Sequence, residues 1–223
     1  VAMLARAVLS QADVVLTIGG KFGELDFFGK APLWGPPEKQ KLIHNHISPE
    51  VTGLNRRPDV PLAGHAKIVL RQLIDEVSKL TPKRVVSPLA KQCADLARMG
   101  DADTRKKYCS GDTLVTGELV RRARAFFGRD TVFAHDGGNS SLWSAFFNRF
   151  YEPRTLLWTG DFGHLGTGLP YAIGAKLAAP EKTVVVISGD GAFGFNIMEL
   201  ETAKREGANI ICIVAADCAW GME

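Results

Sequence analysis

An apolar run, a glycine-rich turn, a helical pattern and a second apolar run follow one another near the end of the chain, and this order constrains the fold most. The run TVVVIS at 183–188 leads into a turn at 189–191, and the run NIICIVA covers 209–215. Two buried strands joined by a helix form a right-handed crossover with parallel strands. The sequence therefore predicts a βαβ unit whose strands both end at one edge of a sheet.

The same alternation of strand and helix patterns extends through the chain. Further strands are predicted at 13–19, 41–47, 131–135 and 155–158, and helices at 66–77, 117–127, 169–177 and 196–205. We therefore expect the fold class α/β, with two Rossmann-like parallel-sheet domains, both truncated. The polar, basic stretch 81–111 is interpreted as a linker with a short helix, between a first domain at 1–80 and a second at 112–223. Because the chain begins with Val1 rather than Met, we interpret it as a segment of a longer polypeptide.

Charge and apolar content argue against several classes of protein. Lys and Arg total 27 against 24 Asp and Glu, and the basic residues are scattered, so nucleic acid is not expected as a partner. The apolar runs are far shorter than the ~18 residues that a membrane span requires, so no membrane partner is expected either. The four cysteines form no CxxC pair, which argues against a disulfide framework and structural zinc and fits the reducing cytoplasm.

Two acidic residues follow the two strands of the βαβ unit. Asp190 lies between Gly189 and Gly191, and Asp217 follows the second strand. The string GDGAFG also matches the dinucleotide pattern GxGxxG, which keeps an NAD-binding oxidoreductase open as an alternative. A carboxylate in that turn repels a bare pyrophosphate, but Mg²⁺ can bridge the two because it prefers oxygen ligands. The acidic pair therefore favours a site for Mg²⁺ and a diphosphate.

The GDG turn, with Asp217 about 27 residues later, resembles the diphosphate and Mg²⁺ motif of thiamine diphosphate-dependent enzymes. The strings GDFGHLGTGLPYAIGA and DGGNSSLW, and the stretch 12–66, extend this resemblance over nearly the whole chain. The chain is similar to the group of acetolactate synthase, benzaldehyde lyase and 2-hydroxyacyl-CoA lyase. The resemblance implies the later part of that family's central domain at 1–80 and the start of its diphosphate-binding domain at 112–223.

The resemblance also implies a set of cofactor-binding residues. They are Asn139, Ser140, Ser141, Leu165, Gly189, Asp190, Gly191, Ala192 and Asp217. The implied Mg²⁺ ligands are the side chains of Asp190 and Asp217 and the backbone carbonyl of Ala219. Gly191 and Ala192 would offer N–H groups to the diphosphate at the start of a helix.

The polar run Asn139, Ser140 and Ser141 matches the loop of the family that closes over the diphosphate. These residue types also cap helices, so capping of the following helix is an open alternative. Leu165 falls where the family places a bulky apolar residue beneath the bent cofactor. Trp220 and Met222 either line the cofactor or pack under the next helix, and packing is the favoured expectation.

Some residues depart from the family pattern. Asp217 stands where the family usually has Asn, which adds negative charge to the site, and Ala216 replaces another common Asn. In the central domain, His46 stands at a typically acidic position and Lys21 at an Arg-like one. These two residues argue against the binding of FAD or ADP in the first domain.

The function that the resemblance implies is thiamine diphosphate- and Mg²⁺-dependent cleavage or ligation of C–C bonds in 2-oxo acids, by a transferase or lyase similar to acetolactate synthase. The catalytic glutamate of the family lies in a pyrimidine-binding domain that is absent from these residues, normally on a partner subunit of a homodimer or homotetramer. We therefore expect no catalytic residue in this segment and no activity from it alone. Two further alternatives are a lyase acting on acyl-CoA, like 2-hydroxyacyl-CoA lyase or oxalyl-CoA decarboxylase, and a catalytically silent relative.

Overall fold

The computed structural model describes residues 8–80, 88, 90–95, 106, 114–160 and 162–221. The chain divides into two compact units, Val1–Asp103 and Thr104–Glu223. Each unit is built on a sheet of parallel strands, as the alternation of strand and helix patterns predicts. The α/β fold class with two parallel sheets is therefore confirmed. Within the described ranges, no helix is long and apolar enough to cross a lipid bilayer.

The first unit contains a three-stranded sheet in the order β1-β2-β3. Its elements are β1 (Val14–Ile18), a 3-10 helix (Glu24–Gly29), β2 (Lys41–His46), β3 (Val60–Ala63) and α1 (Ala66–Leu80). The predictions for β1, β2 and α1 are confirmed. The sequence did not predict β3, because Pro61 lies within its four residues and proline lacks the N–H that a central strand donates. Among the strands that the structure describes, β3 pairs with β2 alone, and such an edge position accepts proline.

The two residues behind the prediction about FAD and ADP both belong to the first unit. His46 is the last residue of β2 and is buried, and the Ser48 N–H donates to its Nδ1 over 3.0 Å. Lys21 is exposed in the loop that follows β1. These positions do not test nucleotide binding, so the expected absence of FAD and ADP stays a prediction.

The second unit contains a four-stranded parallel sheet in the order β5-β4-β6-β7. Its strands are β4 (Val132–His135), β5 (Leu156–Leu157), β6 (Val184–Gly189) and β7 (Ile211–Ala215). Its helices are α2 (Thr116–Phe126), α3 (Asn139–Phe147), α4 (Gly168–Ala178), α5 (Asp190–Phe195) and α6 (Glu199–Arg205). Strands β6 and β7 are adjacent and in register from Val185 with Ile211 to Gly189 with Ala215, so the predicted βαβ crossover is confirmed.

Helices cover both faces of the second sheet, which explains the continuous apolar run in β6. Val185 and Ile187 pack on one face against Val120 of α2 and Phe147 of α3. Val184 and Val186 point to the other face, where Ala172 of α4 packs. The side chains of these four β6 residues are fully or almost fully buried. A strand buried on both faces needs apolar residues at every position, not at alternate ones.

Three local predictions need correction or fall outside the described residues. The resemblance implies a loop at residues 139–141, but α3 begins at Asn139. The helix predicted at 196–205 is α6, which begins only at Glu199, and a separate short helix, α5, precedes it and ends before Asn196. Most of the predicted linker at 81–111 lies outside the described residues. The part of the linker that is described includes residues 90–95, which are helical.

Candidate functional site

A cavity of about 340 Å³ lies at the carboxyl edge of the second sheet. Its walls are formed by Thr116 of α2 and by four segments that lie at the ends of strands or the beginnings of helices. They are the segment after β4, the residues Gly163 and Leu165 before α4, the beginning of α5 and the segment after β7. Ligands of parallel α/β sheets bind at this edge. The cavity is therefore the candidate site.

Asp190 and Asp217 both line this cavity. Asp190 is the first residue of α5, and its Oδ2 accepts the N–H of Cys218, directly after Asp217, over 3.0 Å. Asp217 Oδ1 accepts the N–H of Ala219 over 3.1 Å. The structure thus brings the two carboxylates to one corner of the cavity, where β6 and β7 end side by side.

The donor set at this corner fits Mg²⁺ held together with a diphosphate. No group of three or more His, Cys, Asp or Glu side chains suited to a metal is found among the residues described. The carboxylates of Asp190 and Asp217 and the Ala219 carbonyl would supply three oxygens, and Mg²⁺ usually completes its six ligands with phosphate oxygens and water. The walls beside the carboxylates are Gly189 and Gly191, whose lack of side chains lets a phosphate approach the backbone.

The polar run after β4 occupies the first turn of α3. Asn139 and Ser140 line the cavity, whereas Ser141 does not. The Ser141 hydroxyl donates to the Gly138 carbonyl over 2.7 Å, and the Ser140 hydroxyl donates to the Gly137 carbonyl over 3.2 Å. The capping alternative is wrong, because the N-cap is Gly138 with φ +75° and no side chain caps this helix end.

Leu165 also lines the cavity. It lies against the turn after β4, where a Cβ at Gly137 would come within 2.8 Å of Leu165 Cδ2 and of the Gly163 carbonyl oxygen. This close approach requires glycine at 137. Gly189, Gly191 and Ala192 line the cavity as well, so among the predicted site residues Ser141 alone lies outside its walls.

Sequence reasoning missed Asp136 and left two roles open for Trp220. Trp220 lines the cavity and is 55% exposed, with its ring centroid 5.8 Å from that of Phe195, which agrees with the alternative that it lines the cofactor site. Its packing under a following helix stays a prediction. Met222 lies outside the described residues. Asp136, the first residue after β4, is fully buried beneath the cavity. A carboxylate directly after a strand and before two glycines is the signal that could have identified Asp136.

Comparisons with known proteins agree with this geometry. Residues 136–223 match the family model described as thiamine pyrophosphate enzyme, C-terminal TPP binding domain. Residues 2–73 match the model described as thiamine pyrophosphate enzyme, central domain. The chain belongs to the thiamine pyrophosphate enzyme family. The TPP binding domain of this family includes every residue that lines the cavity except Thr116.

Several curated relatives of this chain are named acetolactate synthases. A probable acetolactate synthase large subunit of Methanocaldococcus jannaschii is 30% identical over 98% of this chain and 37% of the relative. The acetolactate synthase of Mycobacterium leprae is 32% identical over 92% of this chain and 32% of the relative. The acetolactate synthase of Bacillus subtilis is 32% identical over 96% of this chain and 37% of the relative. The chain spans about a third of the length of these relatives.

Proposed function

We propose that the cavity of the second unit holds thiamine diphosphate through Mg²⁺, and that the whole protein cleaves or joins C–C bonds in 2-oxo acids. One observation carries the proposal: the Asp190 carboxylate meets the turn that contains Asp217 and Ala219, inside a glycine-walled cavity. The match of this unit to a TPP binding domain supports the identity of the cofactor.

Each part of the cavity has a proposed role. The side chains of Asp190 and Asp217 and the Ala219 carbonyl hold the metal, and the backbone at Gly191 and Ala192 faces the diphosphate. Leu165 forms the apolar wall beside the rings of the cofactor. Thiamine diphosphate, when bound, supplies the electron sink for cleavage of the C–C bond. The protein therefore binds, bends and orients this group, and neutralises its phosphates.

The likeness to the relatives supports a proposal for the substrate class and the assembly. Because the similar proteins are named acetolactate synthases, we propose a 2-oxo acid as donor and a transferase or lyase reaction in the cytoplasm. The relatives are about three times as long as this chain, which supports a further pyrimidine-binding domain on a partner subunit, in a homodimer or homotetramer. We propose that this domain supplies the catalytic glutamate, so the chain alone binds the cofactor without turning over substrate.

Calorimetric titration of the full chain with thiamine diphosphate tests the binding proposal. We expect binding with Mg²⁺, and much weaker binding when EDTA removes the metal. Asp190→Ala should abolish the Mg²⁺-dependent part, because the metal loses a carboxylate that starts α5. Asp130→Ala is the matched control, since Asp130 is exposed, precedes β4 and pairs with Lys182 over 2.9 Å. Equal binding by wild type and Asp190→Ala would contradict the proposal, and metal-independent binding of NAD would favour an oxidoreductase.

A further inference from the structure

Asp136 lies directly after β4 and is completely buried below the cavity. Its Oδ1 accepts the Gly166 N–H over 2.7 Å and the Gly137 N–H over 2.8 Å. Its Oδ2 accepts the Ser188 hydroxyl over 2.9 Å and the Gly168 N–H over 3.3 Å. In the described part of the chain, no Lys, Arg or His side chain forms an ion pair with it. This buried carboxylate is thus held by four neutral donors.

The four donors come from three different segments that surround the cavity. Gly137 belongs to the turn after β4, Gly166 and Gly168 belong to the loop that precedes and begins α4, and Ser188 lies near the end of β6. Residue Leu165 of the cavity wall directly precedes Gly166, whose N–H makes the shortest of these bonds. One side chain therefore ties the wall at Leu165 to the end of the central strands.

Gly168 is the position at which the sequence makes these hydrogen bonds to Asp136 possible. A Cβ at Gly168 would lie 2.9 Å from Asp136 Oδ2 and 3.0 Å from Val186 Cγ2, so glycine is needed for its N–H to reach the carboxylate. A buried carboxylate without hydrogen bonds is strongly unfavourable, and bonds to a charged acceptor are stronger than neutral ones. If the loop before α4 moves away, the buried Asp136 carboxylate loses the N–H donors of Gly166 and Gly168.

We propose that Asp136 is a positioning residue that fixes the Leu165 wall of the cavity, and so sets the place of the apolar rings of the cofactor without touching the diphosphate. The effect on cofactor binding rests on the proposed function, whereas the claim that Asp136 holds the loop in place does not. Asp136 acts through Gly166 and Leu165, which belong to the segment before α4, whereas Asp190 belongs to the start of α5. Its removal should therefore affect the ring end of the ligand and spare the diphosphate end.

The test uses the full chain with Asp136→Asn, in which the amide presents an NH₂ group to donors and cannot accept from all of them. With Mg²⁺ present, we expect its affinity for thiamine diphosphate to fall about tenfold, and its affinity for inorganic diphosphate to stay within about twofold of wild type. Chymotrypsin should also cut faster after Phe162, which is 84% exposed in the same loop. A general loss of structure would weaken both ligands alike, so the difference between them reports positioning.

Ser188→Ala is the milder variant, because it removes one of the four donors and keeps the charge. We expect it to weaken thiamine diphosphate binding by about threefold with faster cleavage after Phe162, and it decides the question if Asp136→Asn does not fold. Unchanged cofactor affinity and unchanged cleavage in the folded variants would overturn the inference, as would equal loss of both ligands. If the wild type binds inorganic diphosphate but not thiamine diphosphate, the proposed function fails, and the cleavage rates still test whether Asp136 holds the loop.

Discussion

The side-chain amide of Asn139 donates a hydrogen bond of 2.7 Å to the backbone carbonyl of Gly221, a residue 82 positions later in the chain. The first turn of α3 is thereby joined to the segment after β7, and both line the cavity. The approach is so close that a Cβ at Gly221 would lie 2.6 Å from Asn139 Nδ2. This contact keeps the segment that carries Asp217 folded against the first turn of α3.

Asn139→Ala should loosen the segment after β7 and weaken Mg²⁺-dependent binding of thiamine diphosphate. A single exposed hydrogen bond contributes about 1 kcal/mol, so we expect roughly a fivefold loss of affinity in a calorimetric titration. Asn209→Ala, at an exposed position before β7, is the control and should bind as wild type does. An Asn139→Ala protein with wild-type affinity would show that the contact does not support the site.

Asp217→Asn should make binding of the cofactor less dependent on Mg²⁺. An amide oxygen can still coordinate the metal, but the variant removes one of two carboxylates that repel a diphosphate when no metal is present. In EDTA we expect about fivefold tighter binding of thiamine diphosphate by the variant than by wild type, and similar affinities in Mg²⁺. The measurement is the ratio of the two dissociation constants for each protein, with Asp130→Asn as the control. A ratio equal to that of wild type would place Asp217 away from the phosphates.

The strands and the meeting of the acidic residues could be predicted because they depend on local pattern and sheet topology. The apolar run of β6 is buried on a helix-covered sheet, and β7 pairs beside it with partly exposed side chains. Parallel strands bring their carboxyl ends together whatever their separation along the chain. Asp190 and Asp217 therefore share a corner as a consequence of one crossover.

The rest depends on contacts between distant residues, which no local pattern reveals. The start of α3 at Asn139 follows from the positive φ of Gly138, and the edge position of Pro61 follows from strand order. The partners of Asp136 are the clearest case, since Gly166 and Ser188 lie 30 and 52 positions away. A buried acidic residue that serves several loops is visible only once those loops are folded.

Gly137→Ala should destabilise the second unit. The added Cβ would lie 2.8 Å from the Gly163 carbonyl oxygen and 3.0 Å from that of His164, and backbone atoms cannot rotate away as a side chain can. We expect the free energy of unfolding in urea to fall by about 1 to 3 kcal/mol. Gly174→Ala is the matched control, because this exposed glycine in α4 has nothing within 4 Å of an added Cβ and alanine favours helix. Loss of stability in the control alone would contradict the steric argument.

His135 should make the folded state less stable as the pH falls below neutrality. It is the last residue of β4, and burial among Phe133, Phe150 and Asn148 lowers its pKa from 6.5 to about 4. Between these two values the unfolded chain binds the proton and the folded protein does not, so each step to lower pH favours unfolding. The stability is fully present above pH 6.5 and is lost as the pH falls towards 4.

The expected loss in the free energy of unfolding between pH 7 and pH 5 is about 2 kcal/mol, measured by urea titration at each pH. His135→Gln carries no titrating group and can still pair with Asn148, whose Nδ2 lies 3.0 Å from the ring Nε2, so its stability should change little over this range. His164→Gln, at an exposed position, is the control and should keep the pH dependence of the wild type. The same slope in all three proteins would mean that His135 is already protonated, or reaches water, in the folded state.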